Sequence, residues 1–459
     1  MLCRRAGGQV SPIDVLPDDV LLAIFDFYLV RRKDGMDAWQ SLVHVCRRWR
    51  CVVFGSPCRL NLRLVCSPEI PARGKGLGVW PVLPLVIKGI ISSTSTDIVV
   101  VAPEHRDRVC RIDLRVNGRS QWDKVMAEMQ VPFPALTDLR FHSWDATAIP
   151  DTFLGGSAPR LRSLEMDCIP FPVIPNLLLS ATHLVRLDLN RIPPSGYIPP
   201  ETMVNCLSVL TSLDTFSLRF LPTRSRPNRE TRRPPPMIRS VLPCLTALRF
   251  KGTNEYLDDL VAPIVAPQLG YLSITFLNQG NFDTPHLVQF ISRTPRLQEP
   301  NDAHVILGIA ADVQLLWALD DQRVGISHEN IGPRFQPSFI AQVCTVCLPP
   351  LHMVVNLRLE APSELRHSKK LLNDVEDDQW LELLRPFTAV KNLYLLGDCQ
   401  PGMASALQDL VGDRTTEVLP LLQNIFLERF EPSGRFRGGI GQFVAARQLS
   451  GHPIAVLPL

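Results

Sequence analysis

The chain has 459 residues, 46% of them hydrophobic and 20% charged, with a formal net charge of +3. That composition excludes a disordered chain and supplies enough apolar surface for a large core. So small a charge gives no ground for a nucleic-acid or membrane-surface partner, either of which needs basic residues massed on one face.

Length alone suggests about three ordinary domains, but a repeat array absorbs such a length without internal boundaries. The N-terminal MLCRRAGGQV has Arg4 and Arg5 with no apolar run behind them. No secretory signal is read there, residues 1–11 are expected to be flexible, and the protein is expected inside the cell, cytoplasmic or nuclear. Twelve cysteines are scattered, several within apolar segments (Cys46, Cys168, Cys206), the usage of reduced cysteines that pack as small hydrophobes. The 41 prolines, nearly twice the ordinary share, fall mostly between apolar runs, as at Pro132, Pro134, Pro193 and Pro194, so the chain reads as many short elements.

In chain order, Leu16, Pro17, Asp18 and Asp19 open a helix: Pro17 loses no hydrogen bond at a helix start, and the two carboxylates suit the positive end of the dipole. From Val20 to Val30 the only charge is Asp26. The helix is therefore apolar on nearly every face, and a domain of about 50 residues cannot cover it alone. A second short helix is expected over Ala38 to His44, carrying Trp39 and Leu42. A third is expected over VCRRWRCVVF, where Val45, Trp49 and Val52 or Val53 share one face and Arg47, Arg48 and Arg50 form a solvated one. GSP at Gly55 to Pro57 stops it.

The residues Leu16, Pro17, Val20, Leu21, Ile24, Phe25, Leu42, Val45, Cys46, Arg48, Trp49, Arg50, Ser56, Pro57 and Leu60 together resemble the F-box motif as fungi carry it. The match departs at Asn61, where the family often has tryptophan. The resemblance implies a three-helix cluster over 12–60 that docks a Skp-type adaptor, and through it a cullin, by way of Leu16, Pro17, Val20, Leu21, Ile24, Phe25, Leu42, Val45 and Trp49. Such a partner would cover the surplus apolar surface of the first helix.

Residues 61–130 read as linker and first elements. From there a phrase of three apolar residues, spaced by two and then one variable residue, recurs as ALTDLRF at Leu136, RLRSLEM at Leu161, HLVRLDL at Leu184, SLDTFSL at Leu213, CLTALRF at Leu245, QLGYLSI at Leu269, MVVNLRL at Val354, AVKNLYL at Val390 and LLQNIFL at Leu422. The starts are 25, 23, 29, 32, 24, 85, 36 and 32 residues apart, in or near the leucine-rich-repeat period except for the 85-residue gap, which is expected to hold two or three degraded repeats. The asparagine or cysteine that regular repeats place eight residues after the first leucine is absent throughout. The fold expected is therefore α/β: a small F-box followed by an irregular leucine-rich-repeat-like solenoid over 131–455, interrupted by an Arg/Pro-rich loop at 222–237. The last ninety residues, with QWLELLRPFTAVKNLYL and GIGQFVAARQLSGHPIAV, resemble the C-terminal block of many fungal F-box proteins.

Each phrase is read as a strand that buries its leucines, so the single residues between them should face outward: Arg140, Glu165, Asp188, Ser217, Arg249, Ser273, Arg358, Tyr394 and Phe426. Their mixed charges suit recognition of a protein target. Gly74, Lys75, Gly76 and Gly78 lack the spacing of a phosphate loop and read as linker. Cys344 and Cys347 form a lone C-x-x-C without further zinc ligands and read as core. The apolar stretch from Ala303 contains Asp312 and barely reaches the length of a membrane span, so it reads as buried core. Five arginines against one glutamate over Thr223 to Pro236 read as a solvated loop.

The reading reached is a non-catalytic substrate-recognition subunit of a Skp-cullin-F-box ubiquitin ligase, with no cofactor, metal, nucleic acid or membrane. Its partners are the adaptor and an unidentified protein target. The alternatives are a ligase-independent leucine-rich scaffold with a vestigial F-box and, more remotely, a hydrolase assembled from distant residues.

Overall fold

The computed structural model describes residues 12–31, 38–67, 82–92, 105–170, 174–222, 239–277, 284–298, 300–307, 310–316, 322–329, 336–348, 351–361, 375–397, 400–410, 412–428 and 435–459. The flexible start, the Gly74 to Gly78 linker and the arginine-rich stretch from Thr223 to Pro236 lie outside the described residues. The chain divides into two compact units, 1–169 and 170–459.

The first unit opens with α1 (Pro12–Val15), α2 (Asp18–Arg31), α3 (Ala38–Val43) and α4 (Arg47–Gly55). Helix α2 begins two residues later than the sequence suggests, with Asp18 and Asp19 in its first turn. Helix α4 also begins late: Cys46 is extended and caps it, Sγ accepting from Trp49 N–H. Val45 therefore lies before the helix and is exposed rather than sharing a buried face with Val52.

Arg48 and Arg50 are not merely solvated. Arg48 pairs with Asp18 at 2.7 Å and donates to the Leu16 carbonyl, while Arg50 Nε donates to the Val43 carbonyl at 3.0 Å. Both tie α4 to its neighbours. Asn61, the departure from the motif, has φ +48° and accepts from Arg63 Nε. Asparagine tolerates that left-handed conformation, where a bulky aromatic is strained.

Strands β1 (Leu64–Cys66), β2 (Leu85–Ile91), β3 (Val109–Val116), β4 (Asp138–His142) and β5 (Ser163–Asp167), with α5 (Arg119–Glu128) between β3 and β4, complete the unit. The strands lie in chain order, with β1 to β4 and β4 to β5 paired parallel.

The second unit alternates strand and helix: α6 (Ile174–Ser180), β6 (Arg186–Ile192), α7 (Pro200–Val209), β7 (Thr215–Phe220), β8 (Ser240–Val241), β9 (Ala247–Gly252), α8 (Asn254–Val261), β10 (Ile264–Val265), β11 (Tyr271–Phe276), α9 (Pro285–Ser292), β12 (Asp302–Leu307), β13 (Ala310–Leu316), β14 (Arg323–Glu329), α10 (Gln336–Val346), β15 (Asn356–Ala361), α11 (Asp377–Leu384), β16 (Asn392–Gly397), α12 (Gln400–Gln408), β17 (Asn424–Leu427), α13 (Arg435–Leu449) and β18 (Ala455–Pro458). Its main sheet runs β6-β7-β9-β11-β14-β13-β12-β15-β16-β17-β18, with β8 and β10 forming a separate pair. All nine recurring phrases, counted over both units, are strands. Their apolar residues are buried, as with Leu245, Leu248 and Phe250 or Val390, Leu393 and Leu395.

The 85-residue gap differs from the expectation of degraded repeats. It holds β12, β13 and β14, of which β13 runs antiparallel to both neighbours. Only residues 308–309 and 317–322 separate these strands, too few for the dozen-residue crossover that parallel neighbours need. The apolar stretch from Ala303 is thus two paired strands, and among the described residues no helix is long and apolar enough to cross a membrane.

Buried and half-buried polar groups secure the helical layer. Asp258 Oδ1 of α8 accepts from His286 N–H and Leu287 N–H at 2.9 and 3.0 Å, capping α9, while Arg293 after α9 donates to the carbonyls of Val261, Ala262 and Ile264 at the end of α8. The two helices thereby satisfy each other's orphaned ends. Arg447 of α13 is fully buried and donates to the carbonyls of Thr415, Leu419 and Leu422. Removing it leaves buried acceptors unpaired, so Arg447→Leu should destabilise the second unit by on the order of 3 kcal/mol. Urea unfolding measures this, and an unchanged midpoint would refute the role.

Candidate functional site

Three surfaces hold the residues singled out by sequence. The first is the helical cluster. Leu21, Leu22 and Phe25 of α2 are buried, as are Trp39, Leu42, Val43, Val52 and Val53 on α3 and α4, and the Phe25 ring lies 4.7 Å from Trp49. Leu21, Phe25 and Leu42, expected among the adaptor contacts, are thus buried where they hold the helices together. Leu16 and Trp49 are half-buried, whereas Pro17 and Val45 are exposed.

On another face of α2, Val20, Ile24 and Phe27 are 39%, 43% and 59% exposed. Their i, i+4, i+7 spacing lines them up along one side of the helix. Phe27 was missed by the motif match, though the same spacing from Val20 points to it. Exposed apolar side chains so aligned are a usual mark of an interaction surface.

The open face of the first sheet carries Arg140 and Glu165. Parallel register sets Lys88, Asp113, Arg140 and Glu165 side by side, with the Arg140–Glu165 pair at 2.5 Å. The next row adds Arg115, His142 and Asp167, where His142 Nδ1 is 3.0 Å from Asp167 Oδ2. The charges of the first row, Lys88, Asp113, Arg140 and Glu165, alternate and largely neutralise one another, each exposed pair contributing about 0.2–1 kcal/mol.

The open face of the second sheet gathers the remaining seven. Asp188, Ser217, Arg249 and Ser273 lie in one cross-strand row, which continues through Gly325 and Gln314 to His304, Arg358, Tyr394 and Phe426. The Arg358 guanidinium sits 5.3 Å from the Tyr394 ring centre, and Tyr394 stacks on Phe426 at 4.5 Å and 8°. These three form a continuous stacked ladder. Asp188 and Ser217 depart from expectation: Asp188 is only 6% exposed and Ser217 is fully buried, with Arg219 Nε donating to its hydroxyl. Longer arginine neighbours, not these two, present charge there.

A second ladder went unrecognised in the sequence. Asn356 donates to Asp302 Oδ1 at 2.7 Å, Asn392 to Asn356 Oδ1 at 2.8 Å and Asn424 to Asn392 Oδ1 at 2.8 Å. The signal was present: each asparagine stands two residues after the first apolar residue of its phrase, not eight. Gly397 closes β16 at φ +63°, where a Cβ would lie 2.0 Å from the Ala361 carbonyl oxygen, so that strand end admits glycine alone.

Chemistry-bearing groups elsewhere are few. Cys344 and Cys347 are buried, and burial pushes the Cys347 thiol up to about 11 and that of Cys344 further still, so both are protonated thiols without nucleophilic character. A cavity of about 740 Å³ between α10 and α11 is lined by Ala341, Thr345, Val346, Leu351, Glu382 and Arg385, and Arg385 is paired with Glu417 at 3.0 Å. Among the described residues no group of three or more His, Cys, Asp or Glu side chains could hold a metal ion.

No protein-family model matches the chain, and no curated protein does. The functional reading therefore rests on the residues themselves.

Two measurements test this geometry. Asn392 both donates and accepts in its ladder while Asn424 only donates, so Asn392→Ala should cost about 1–3 kcal/mol and Asn424→Ala less; equal losses in chemical denaturation would show that the ladder is not connected. Burial raises the Asp312 carboxyl above its ordinary value of 3.8, against opposing contributions from Gln314, Arg323 and His304. The folded state thus holds this proton more tightly than the unfolded chain, and stability from this group falls as pH rises from about 4 through the raised folded value. Asp312→Asn should flatten that fall, as read from thermal melts across the acidic range.

Proposed function

We propose that the chain is the substrate-recognition subunit of a Skp-cullin-F-box ubiquitin ligase, with the helices of residues 12–60 docking a Skp-type adaptor and an irregular leucine-rich-repeat-like solenoid holding a protein target. The observation that carries the reading is the exposed Val20, Ile24 and Phe27 stripe on α2, together with the F-box-like spacing of the residues around it. In water that stripe leaves apolar area uncovered, and a partner's apolar groove gains about 25 cal/mol for each Å² it removes from solvent. Pro17 and Val45, also exposed, extend the set of candidate contacts. In this reading no residue of the chain performs chemistry: the ligase acts by bringing the target close to a conjugating enzyme carried by another subunit.

The decisive experiment is co-purification of the full chain with a Skp-type adaptor. Wild type should bind. Ile24→Asp/Phe27→Asp should lose binding by about a hundred-fold or more, since each carboxylate would have to be desolvated without a partner, while the melting temperature stays near wild type because both side chains are exposed. Failure of the wild-type chain to bind any Skp-type adaptor would end the ligase reading in favour of a ligase-independent scaffold. Unimpaired binding by a folded double mutant would move the docking surface away from α2.

A further inference from the structure

The open face of the second sheet distributes its charge unevenly. On the neighbouring strands β6, β7, β9, β11 and β14 it presents Arg186, Arg219, Arg249 and Arg323. Among the described side chains of these strands that alternate onto this face, the one carboxylate is Asp188, nine-tenths buried, with Oδ1 unpartnered and Oδ2 3.5 Å from Arg186. Beyond β14, Asp312 of the adjoining strand acts electrostatically with Arg323. The guanidinium of Arg219 is held by the Ser217 hydroxyl and that of Arg249 lies 4.7 Å over the Tyr271 ring. Both contacts orient a cation without neutralising it. Among the described side chains the patch thus keeps a positive excess, carried chiefly by Arg219, Arg249 and Arg323, on a chain whose overall charge is close to balanced.

Its geometry narrows what it can bind. Strands are spaced by about 4.8 Å, so β6 to β14 covers about 19 Å, the reach of roughly six residues of extended polypeptide. Four of the five strands in this run each contribute one of these arginines, and β11 between Arg249 and Arg323 carries none. A phosphoryl group concentrates its charge and is best held by donors that converge on one point, whereas carboxylates carried along a chain match cations spread out in this way. A long nucleic acid fits poorly, because farther along the same face the charge turns negative with Asp302 and Glu360.

We propose that this arginine-bearing half of the sheet binds an extended segment of a partner protein rich in aspartate and glutamate. The proposal deepens the ligase reading by naming the chemistry of its target. Binding is measured on the chain without adaptor, so a failed adaptor co-purification and a failed peptide titration are separate outcomes.

The test is fluorescence anisotropy of the full chain with a labelled Asp/Glu-rich peptide of about eight residues. Its comparators are the Asn/Gln counterpart, a phosphoserine peptide otherwise uncharged, and a single-stranded oligonucleotide of equal charge. The acidic peptide should bind best, and more weakly as salt is raised. Arg219→Glu/Arg249→Glu should weaken it about ten-fold or more, and so should Arg186→Glu/Arg323→Glu at the ends of the run, while Arg358→Glu on the other half of the face changes affinity less than about two-fold. Because Arg219 and Arg249 also make internal contacts, melting curves accompany both pairs, and the end pair decides if the central pair misfolds. The proposal fails if the acidic peptide binds no better than its amide counterpart, if a folded reversal pair leaves affinity unchanged, or if the phosphopeptide or oligonucleotide binds more tightly.

Discussion

A parallel strand can satisfy its backbone only when its neighbour arrives at the same height, and in both units the turn before each strand sets that height. The amide of Arg162 donates to the Thr137 carbonyl in the first unit. In the second, Asp214 donates to Val185, Thr246 to Asp214 and Gly270 to Thr246, then Lys391 to Val355, Gln423 to Lys391 and Ala455 to Gln423. Each turn thereby repeats the one before it. The first apolar residue of every phrase is buried just ahead of its strand, and the next two fall in register with their counterparts. Helices then cover the buried face, since a row of leucines and phenylalanines exposed to water would forfeit about 1.5–3 kcal/mol per side chain.

The arrangement leaves one face of each sheet for side chains that serve other purposes. Register turns isolated residues into rows: Arg140 meets Glu165, Asn392 lies between Asn356 and Asn424, and Tyr394 lies between Arg358 and Phe426. Arginine has two distinct uses in these units. Arg48, Arg293 and Arg447 reach back to main-chain carbonyls, where a fork of donors satisfies several acceptors at once. Arg186, Arg219, Arg249 and Arg323 instead stand on the open face. Composition cannot separate the two uses, because the distinction lies in whether a carbonyl edge is within reach.

The helical cluster has the same logic at smaller scale. Trp39 Nε1 donates to the Arg63 carbonyl at 2.9 Å, fastening α3 to the segment that leads into β1. Leu21, Leu22 and Phe25 fill the space between the helices, and once that space is full the other apolar positions of α2 have nowhere to go but outward. The exposed stripe thus follows from a helix with more apolar side chains than three short helices can enclose.

The amino-acid sequence by itself determined where the nine phrase strands lie and which of their residues are apolar and buried, because side chains alternate with period two and each phrase repeats that period whatever its neighbours. It also determined that α2 has an apolar surplus. Only the tertiary structure decided which side of α2 shows it, since Leu21 and Val20 are chemically alike and differ only in what packs against them. Likewise the tertiary structure reversed β13, whose apolar pattern is the same in either direction, buried Asp188 beneath longer neighbours, and joined three asparagines that stand 36 and 32 residues apart. In each case the deciding quantity is a distance between residues far apart in the chain, which local pattern does not encode.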